Sequence, residues 1–211
     1  MPRTALSETE VQAFRERVIE AATRLFAESG YDSVTMRAIA AEVGCSPMTP
    51  YRYFEDKDEI FALVAAEAYR RFGDEMASAI VNVPIAAERL DALGLSYVRF
   101  AMSEPDSYRI MFELRQTPRG DHPDLQAQAI RAWEIMYDTV VDTVKAGAVD
   151  ADPETAAHTF WAGLHGVVSL YLADKLQLGR TLEELIPAMM ATLLVGMSGQ
   201  SMAEEKPKWQ Q

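Results

Sequence analysis

Apolar residues recur three and four positions apart from about residue 11 to 29, at Phe14, Val18, Ala21, Ala22, Leu25 and Phe26, the spacing of a helix with one buried face. Gly30 ends that pattern, since glycine supplies the left-handed backbone that helix C-termini favour. A shorter helix is predicted over about 36–43, with Ile39, Ala40 and Val43 facing inward and Gly44 closing it. Cys45-Ser46 then lead through a tight turn into Pro47-Met48-Thr49-Pro50-Tyr51-Arg52-Tyr53-Phe54. Asp56 is placed to cap a long helix that begins near Lys57 and carries Ile60, Leu63, Val64, Ala68 and Phe72 on one side. Beyond Asn82-Val83-Pro84 the pattern predicts helices at about 85–103, 106–114, 124–145, 153–176 and 182–197. Breaks fall at Pro105, at 116–123, at 147–153 and at Gly179-Arg180, each with turn chemistry. Almost nothing reads as strand, so the expected fold class is all-α.

The two prolines around the short third helix leave two readings open. Either Ser46 caps a helix that starts at Pro47 and Pro50 forfeits one hydrogen bond, or Thr49 is the cap and Pro50 opens the regular part, which is then very short.

Composition narrows the class. The 211 residues, 49% hydrophobic and 25% charged, are ample for a globular core. The single Cys45 forms no internal disulfide and no Cys/His spacing suits zinc, so no metal or cofactor is expected and the compartment is a reducing one, the cytoplasm. The N-terminus is polar where a secretory signal carries an apolar run, and the most apolar stretch, 160–173, is interrupted by His165 and too short to span a membrane. No membrane association is expected. The net charge of −12 excludes a protein that coats nucleic acid by general positive charge. Nine Lys/Arg stand against twelve Asp/Glu before Gly73, and eleven against twenty from there on. Any DNA affinity must therefore be local. An enzyme reading finds no Ser/His/Asp set, no phosphate-binding glycine loop and no carboxylates paired at a useful spacing.

A helix-turn-helix needs apolar positions that lock two helices, a small residue at the turn, and polar or aromatic side chains facing the DNA groove. Ile39, Ala40, Val43 and Phe54 meet the first need and Gly44 the second. The set Val18-Ile19-Glu20-Ala21-Ala22, Leu25-Phe26, Gly30-Tyr31, Thr35-Met36-Arg37-Ala38-Ile39-Ala40, Val43-Gly44 and Tyr51-Arg52-Tyr53-Phe54 with Lys57 resembles the TetR-family DNA-binding domain over about residues 13–64. The order and spacing of all these pieces is far more specific than a lone helix-turn-helix pattern.

That resemblance implies roles for matching positions. Thr35 and Tyr51 correspond to the family's phosphate contacts and Lys57 to the lysine that reaches the DNA backbone; such contacts position a domain without reading sequence. Arg37 and Ser46 join them on the DNA-binding face. Base readout falls to Pro47, Met48, Thr49, Arg52 and Tyr53, with Arg52 able to pair with guanine and Pro47, Met48 and Thr49 able to touch a thymine methyl. The chain departs from many relatives, which carry a basic residue followed by glycine or alanine where Pro47-Met48 stand here. A phosphate contact is missing and the readout is more apolar.

From Gly73 on, two helices carry more apolar residues than one buried face can use: Phe160, Trp161, Leu164, Val167, Val168, Tyr171 and Leu172, then Leu182, Leu185, Ile186, Met189, Met190, Leu193 and Leu194. A helix apolar around most of its circumference is buried on several sides, here at a subunit interface, with Gly163 and Gly166 letting partner helices approach. The resemblance implies the same homodimer through the last two helices. Trp161-Ala162-Gly163-Leu164-His165-Gly166, with Tyr108-Arg109-Ile110-Met111-Phe112, also resembles the Trp/His-Gly subgroup of TetR-type C-terminal domains. Candidate contacts for a small-molecule effector of unknown identity, in an apolar cavity with a few polar groups, are Tyr97, Phe100, Met111, Phe112, Trp133, Met136, Tyr137, His158, Trp161 and His165.

The expected organisation is an N-terminal arm over 1–12, a three-helix helix-turn-helix DNA-binding domain over 13–60, a helical ligand-binding and dimerisation domain over 61–199, and a polar tail over 200–211. The resemblance implies a ligand-responsive regulator whose partner is double-stranded operator DNA.

Overall fold

In the computed structural model, residues 7–112 and 122–198 are described; the expected polar tail, most of the break over 116–123 and the end of the helix predicted to reach 114 lie outside them. The described residues form eight α-helices and one short 3₁₀ turn, with no strand among them. Two units divide the chain, one from Met1–Gly73 and Phe100–Ala132 and the other from Asp74–Arg99 and Trp133–Gln211.

The first unit opens with α1 (Glu8–Ser29), followed by α2 (Met36–Val43), a 3₁₀ turn (Pro50–Arg52) and the first part of α3 (Lys57–Ile80). It also takes the end of α4 (Ala86–Ser103), α5 (Pro105–Phe112) and the start of α6 (Pro123–Lys145). α1 starts three residues before its apolar pattern. Ser7 accepts from the Glu10 amide while the Glu10 carboxylate accepts from the Ser7 amide, a reciprocal cap that needs no apolar signal. Phe14, Val18, Ala22 and Phe26 are buried with Ile39, Ala40, Phe54, Ile60 and Phe61, while Leu25, Val43 and Leu63 are only half-buried. α1 packs against both α2 and α5.

The second unit holds the rest of α3, α4 and α6, with α7 (Pro153–Leu172) packed on α8 (Leu182–Ser198). Arg89 and Asp142 pair at 2.8 Å, and the Thr143 hydroxyl donates to the Ala86 carbonyl, so α4 and α6 are tied together at one end. A methyl group on Gly94 would stand 2.8 Å from the Met190 methyl and 3.1 Å from the Phe160 ring, so glycine is what lets α4 approach α7 and α8. α7 stops at Leu172, four residues short of the pattern. The Asp174 backbone is left-handed (φ 54°), its amide donates to the Tyr171 carbonyl, and the Lys175 amide donates to the Leu170 carbonyl. Gly163 also departs from expectation. A methyl there would stand 2.8 Å from Leu193 Cδ1 and 3.0 Å from Met189 Sδ, so it admits α8 of its own chain, whereas Gly166 faces open space.

Candidate nucleic-acid interface

Between α2 and α3 the chain makes two successive turns instead of a regular helix. Gly44, left-handed at φ 76°, ends α2 as its amide donates to the Ala41 carbonyl and the Cys45 amide donates to the Ala40 carbonyl. The Thr49 amide then donates to the Ser46 carbonyl, and Pro50–Arg52 follow as the 3₁₀ turn. The regular part begins at Pro50, with Thr49 at the cap position but making no side-chain cap bond; its hydroxyl pairs with that of Ser46 at 3.0 Å instead. Having no N–H, Pro50 makes no bond back to the Ser46 carbonyl, which the Thr49 amide takes instead, so the regular part does not begin at Pro47.

Pro50 and Phe54 are buried and anchor the turn, while Pro47, Met48, Tyr51 and Arg52 are exposed. Arg15 completes the anchor: its guanidinium donates to the Tyr53 carbonyl and lies 4.5 Å over the Phe54 ring, with Glu59 at 4.0 Å. Arg15 has no signal in the sequence, because its position in α1 carries neither the apolar spacing nor the motif of the turn it holds.

The remaining expected contacts are engaged to different degrees. Thr35 caps α2, its hydroxyl oxygen accepting from the Ala38 amide at 3.1 Å, which leaves the hydroxyl proton free to donate. Arg37 is exposed and, among the described residues, pairs with no carboxylate. Tyr53 is half-buried with its ring 4.8 Å from Phe14. Lys57 is half-buried; its ammonium donates to the Tyr31 carbonyl at 2.8 Å and lies 4.1 Å from the Tyr31 ring centre. Tyr31 in turn donates to Asp58. Asp56 caps α3 by accepting from the Glu59 amide at 2.9 Å. Hydrogen bonds to Glu42 and Glu20 push the Arg24 pKa up and hold its charge within the protein. Among the described residues, the positive groups presented around the turn are therefore Arg37, Arg52 and Arg17, the last exposed and 5.7 Å from the ring centre of Phe14, which packs on Tyr53.

The ten candidate ligand contacts fall into two groups. In the first unit, Phe100 lies 5.2 Å from Phe72, Phe112 lies 4.9 Å from Tyr108, and the Met111 carbonyl accepts from Tyr69. In the second unit, Trp133 of α6 meets His158 at 4.5 Å and Trp161 at 6.2 Å on α7, with Tyr137 beside it. His165 lies between the buried Tyr97 hydroxyl at 3.5 Å and the Ser169 hydroxyl at 3.4 Å. Met136 is buried, Trp133, Tyr137, Trp161 and His165 are half-buried, and His158 is exposed with Nδ1 at 2.8 Å from the Glu154 carbonyl. Among the described residues no three His, Cys, Asp or Glu side chains converge to hold a metal ion, and no helix is long and apolar enough to cross a membrane.

α7 and α8 keep apolar residues in the open. Ala162 and Leu170 are exposed with Gly166 between them at four-residue spacing, and Ala188, Ala191 and Val195 are exposed along α8.

Comparison with known proteins bears on both halves of the chain. A family model described as bacterial regulatory proteins of the tetR family matches residues 18–64, and one described as a tetracyclin repressor-like C-terminal domain matches residues 90–193. An uncharacterised HTH-type transcriptional regulator of Mycobacterium tuberculosis is 35% identical over 127 residues, which are 60% of this chain; the match spans 62% of that relative's length. The HTH-type transcriptional repressor AcnR of Corynebacterium diphtheriae is 35% identical over 72 residues, 34% of this chain and 38% of its own. A protein of unknown function from Rhodococcus sp. RHA1 superposes with a TM-score of 0.76 at 22% identity, covering 94% of this chain and 99% of that one. The fatty acid degradation regulator FadR from Bacillus halodurans superposes with a TM-score of 0.72 at 19% identity, covering 85% of this chain and 94% of that one. At these identities the structural likeness is one of fold.

Proposed function

Because the chain belongs to the TetR family of bacterial regulators, we propose that it is a cytoplasmic transcriptional repressor that binds a palindromic operator as a homodimer and is released by a small, largely apolar effector. The observation that carries this reading is the turn after α2: Pro47, Met48, Tyr51 and Arg52 are exposed on a backbone fixed from behind by buried Pro50 and Phe54. A docking turn must present side chains without rearranging, and this one is held by packing and by Arg15.

Dimerisation is supported by the exposed small and apolar residues of α7 and α8, which a second copy would cover to form a four-helix bundle. Two heads then face two half-sites about 34–36 Å apart or a multiple of that. The aromatic and imidazole groups around Trp133, Trp161 and His165 offer an effector an apolar surface with a few polar atoms. Such an effector releases DNA only if it favours a conformation in which the two heads misfit the operator.

Selection of random duplexes on the full-length protein tests this reading. Enrichment of an inverted repeat with half-sites about one helical turn apart is expected. Enrichment of an asymmetric single site, or of none, contradicts it.

A further inference from the structure

Side chains that read base edges form a short vocabulary: Arg and Lys for guanine, Asn and Gln for adenine, Asp and Glu for the cytosine amino group, and apolar groups for the thymine methyl. From Cys45 to Phe54 there is no Asn, Gln, Asp, Glu or Lys, so adenine and cytosine have no dedicated reader there. Ser46 and Thr49 bond to each other. What the turn presents is one guanidinium, Arg52, and an apolar edge made by Pro47 and Met48. Met48 is 69% exposed and Tyr51 49%, and among the described residues up to Ile60 these are the exposed large apolar side chains. A flexible, polarisable side chain held this far out on a turn anchored by buried Pro50 leaves most of its surface uncovered by its own chain and is suited to an apolar partner of variable position.

We propose that Met48 is a specificity-determining residue, and that with Pro47 it selects the 5-methyl group of thymine in the major groove of each half-site. This rests on the operator reading above and names what that reading recognises. Arg52 adds a single guanine contact, so each half-site is expected to carry a thymine read through its methyl group and one G·C pair.

The test takes a duplex enriched from a random pool by the full-length protein and resynthesises it with deoxyuridine in place of thymidine, which removes the methyl groups and leaves every pairing group intact. Affinity for the uracil duplex is expected to be about 4-fold lower per half-site and about 15-fold lower for the dimer. Met48→Ala should show a similar loss on the thymine duplex and little further loss on the uracil duplex, since the same contact is removed twice. Met48→Leu should restore discrimination. Because Met48 is exposed, neither variant is expected to disturb folding, and unchanged thermal midpoints would verify that. Equal affinity for the two duplexes, or equal methyl discrimination by wild type and Met48→Ala, overturns the assignment while leaving operator recognition standing. Enrichment of no sequence at all overturns both.

Discussion

Asp174 does the work that glycine does elsewhere in this fold. Gly44 and Gly147 have φ of 76° and 72°, and each ends a helix with the same pair of amide bonds that Asp174 makes at φ 54°. A side chain is strained in that region, though a short polar one is tolerated better than most. Asp174→Gly should raise stability by about 0.5–1 kcal/mol, read from urea unfolding at matched protein concentration; no change, or a loss, would mean that Asp174 carries an interaction beyond its backbone. The same residue explains why the end of α7 was hidden. The pattern continues through Leu176, and an aspartate there carries no stop signal. Residue types around the reading turn were legible, but partners were not. Nothing in the spacing shows that Lys57 is held at the Tyr31 carbonyl, that Arg15 clamps Tyr53, or that the Ser46 and Thr49 hydroxyls satisfy one another.

Helix starts and stops depend on individual side chains, and α7 shows how one start responds to pH. The Thr155 amide and then its hydroxyl donate to the Asp152 carboxylate, which lowers its pKa. A carboxylate whose folded pKa lies below its unfolded one stabilises the fold at neutral pH, and that contribution fades as pH falls from about 4 through the lowered value. The difference in thermal midpoint between wild type and Asp152→Ala should therefore shrink on acidification through that window. The difference between Asp152→Asn, which caps without titrating, and Asp152→Ala should hold steady. A wild-type advantage that persists unchanged in acid would show that the carboxylate charge is not what caps α7. At this scale the apolar periodicity located every described helix, because burial of one face dominates. It could not choose between the two readings of Pro47 and Pro50, where a single missing amide decides.

Across the whole molecule, charge and apolar exposure are distributed for local DNA contact and not for general attraction. The chain carries −12, and most cations of the N-terminal helices are occupied within the protein, as Arg24 is by Glu42 and Glu20. With Arg17, Arg37 and Arg52 presented by each head, the slope of log affinity against log salt should be modest for a dimer, about −5. The division into two units was not legible, since the boundaries fall inside α3, α4 and α6, where the apolar pattern runs on without interruption. On the proposed function, specific affinity comes largely from the turn after α2, doubled when a second copy packs on α7 and α8. The most direct measurement is fluorescence anisotropy of the enriched operator duplex with wild type and with the Tyr51→Phe, Arg52→Ala double variant, both full-length and equally folded by circular dichroism. A loss of about tenfold or more, with a shallower salt slope, is the expected result. Unchanged affinity and an unchanged slope would contradict the claim that this turn reads DNA.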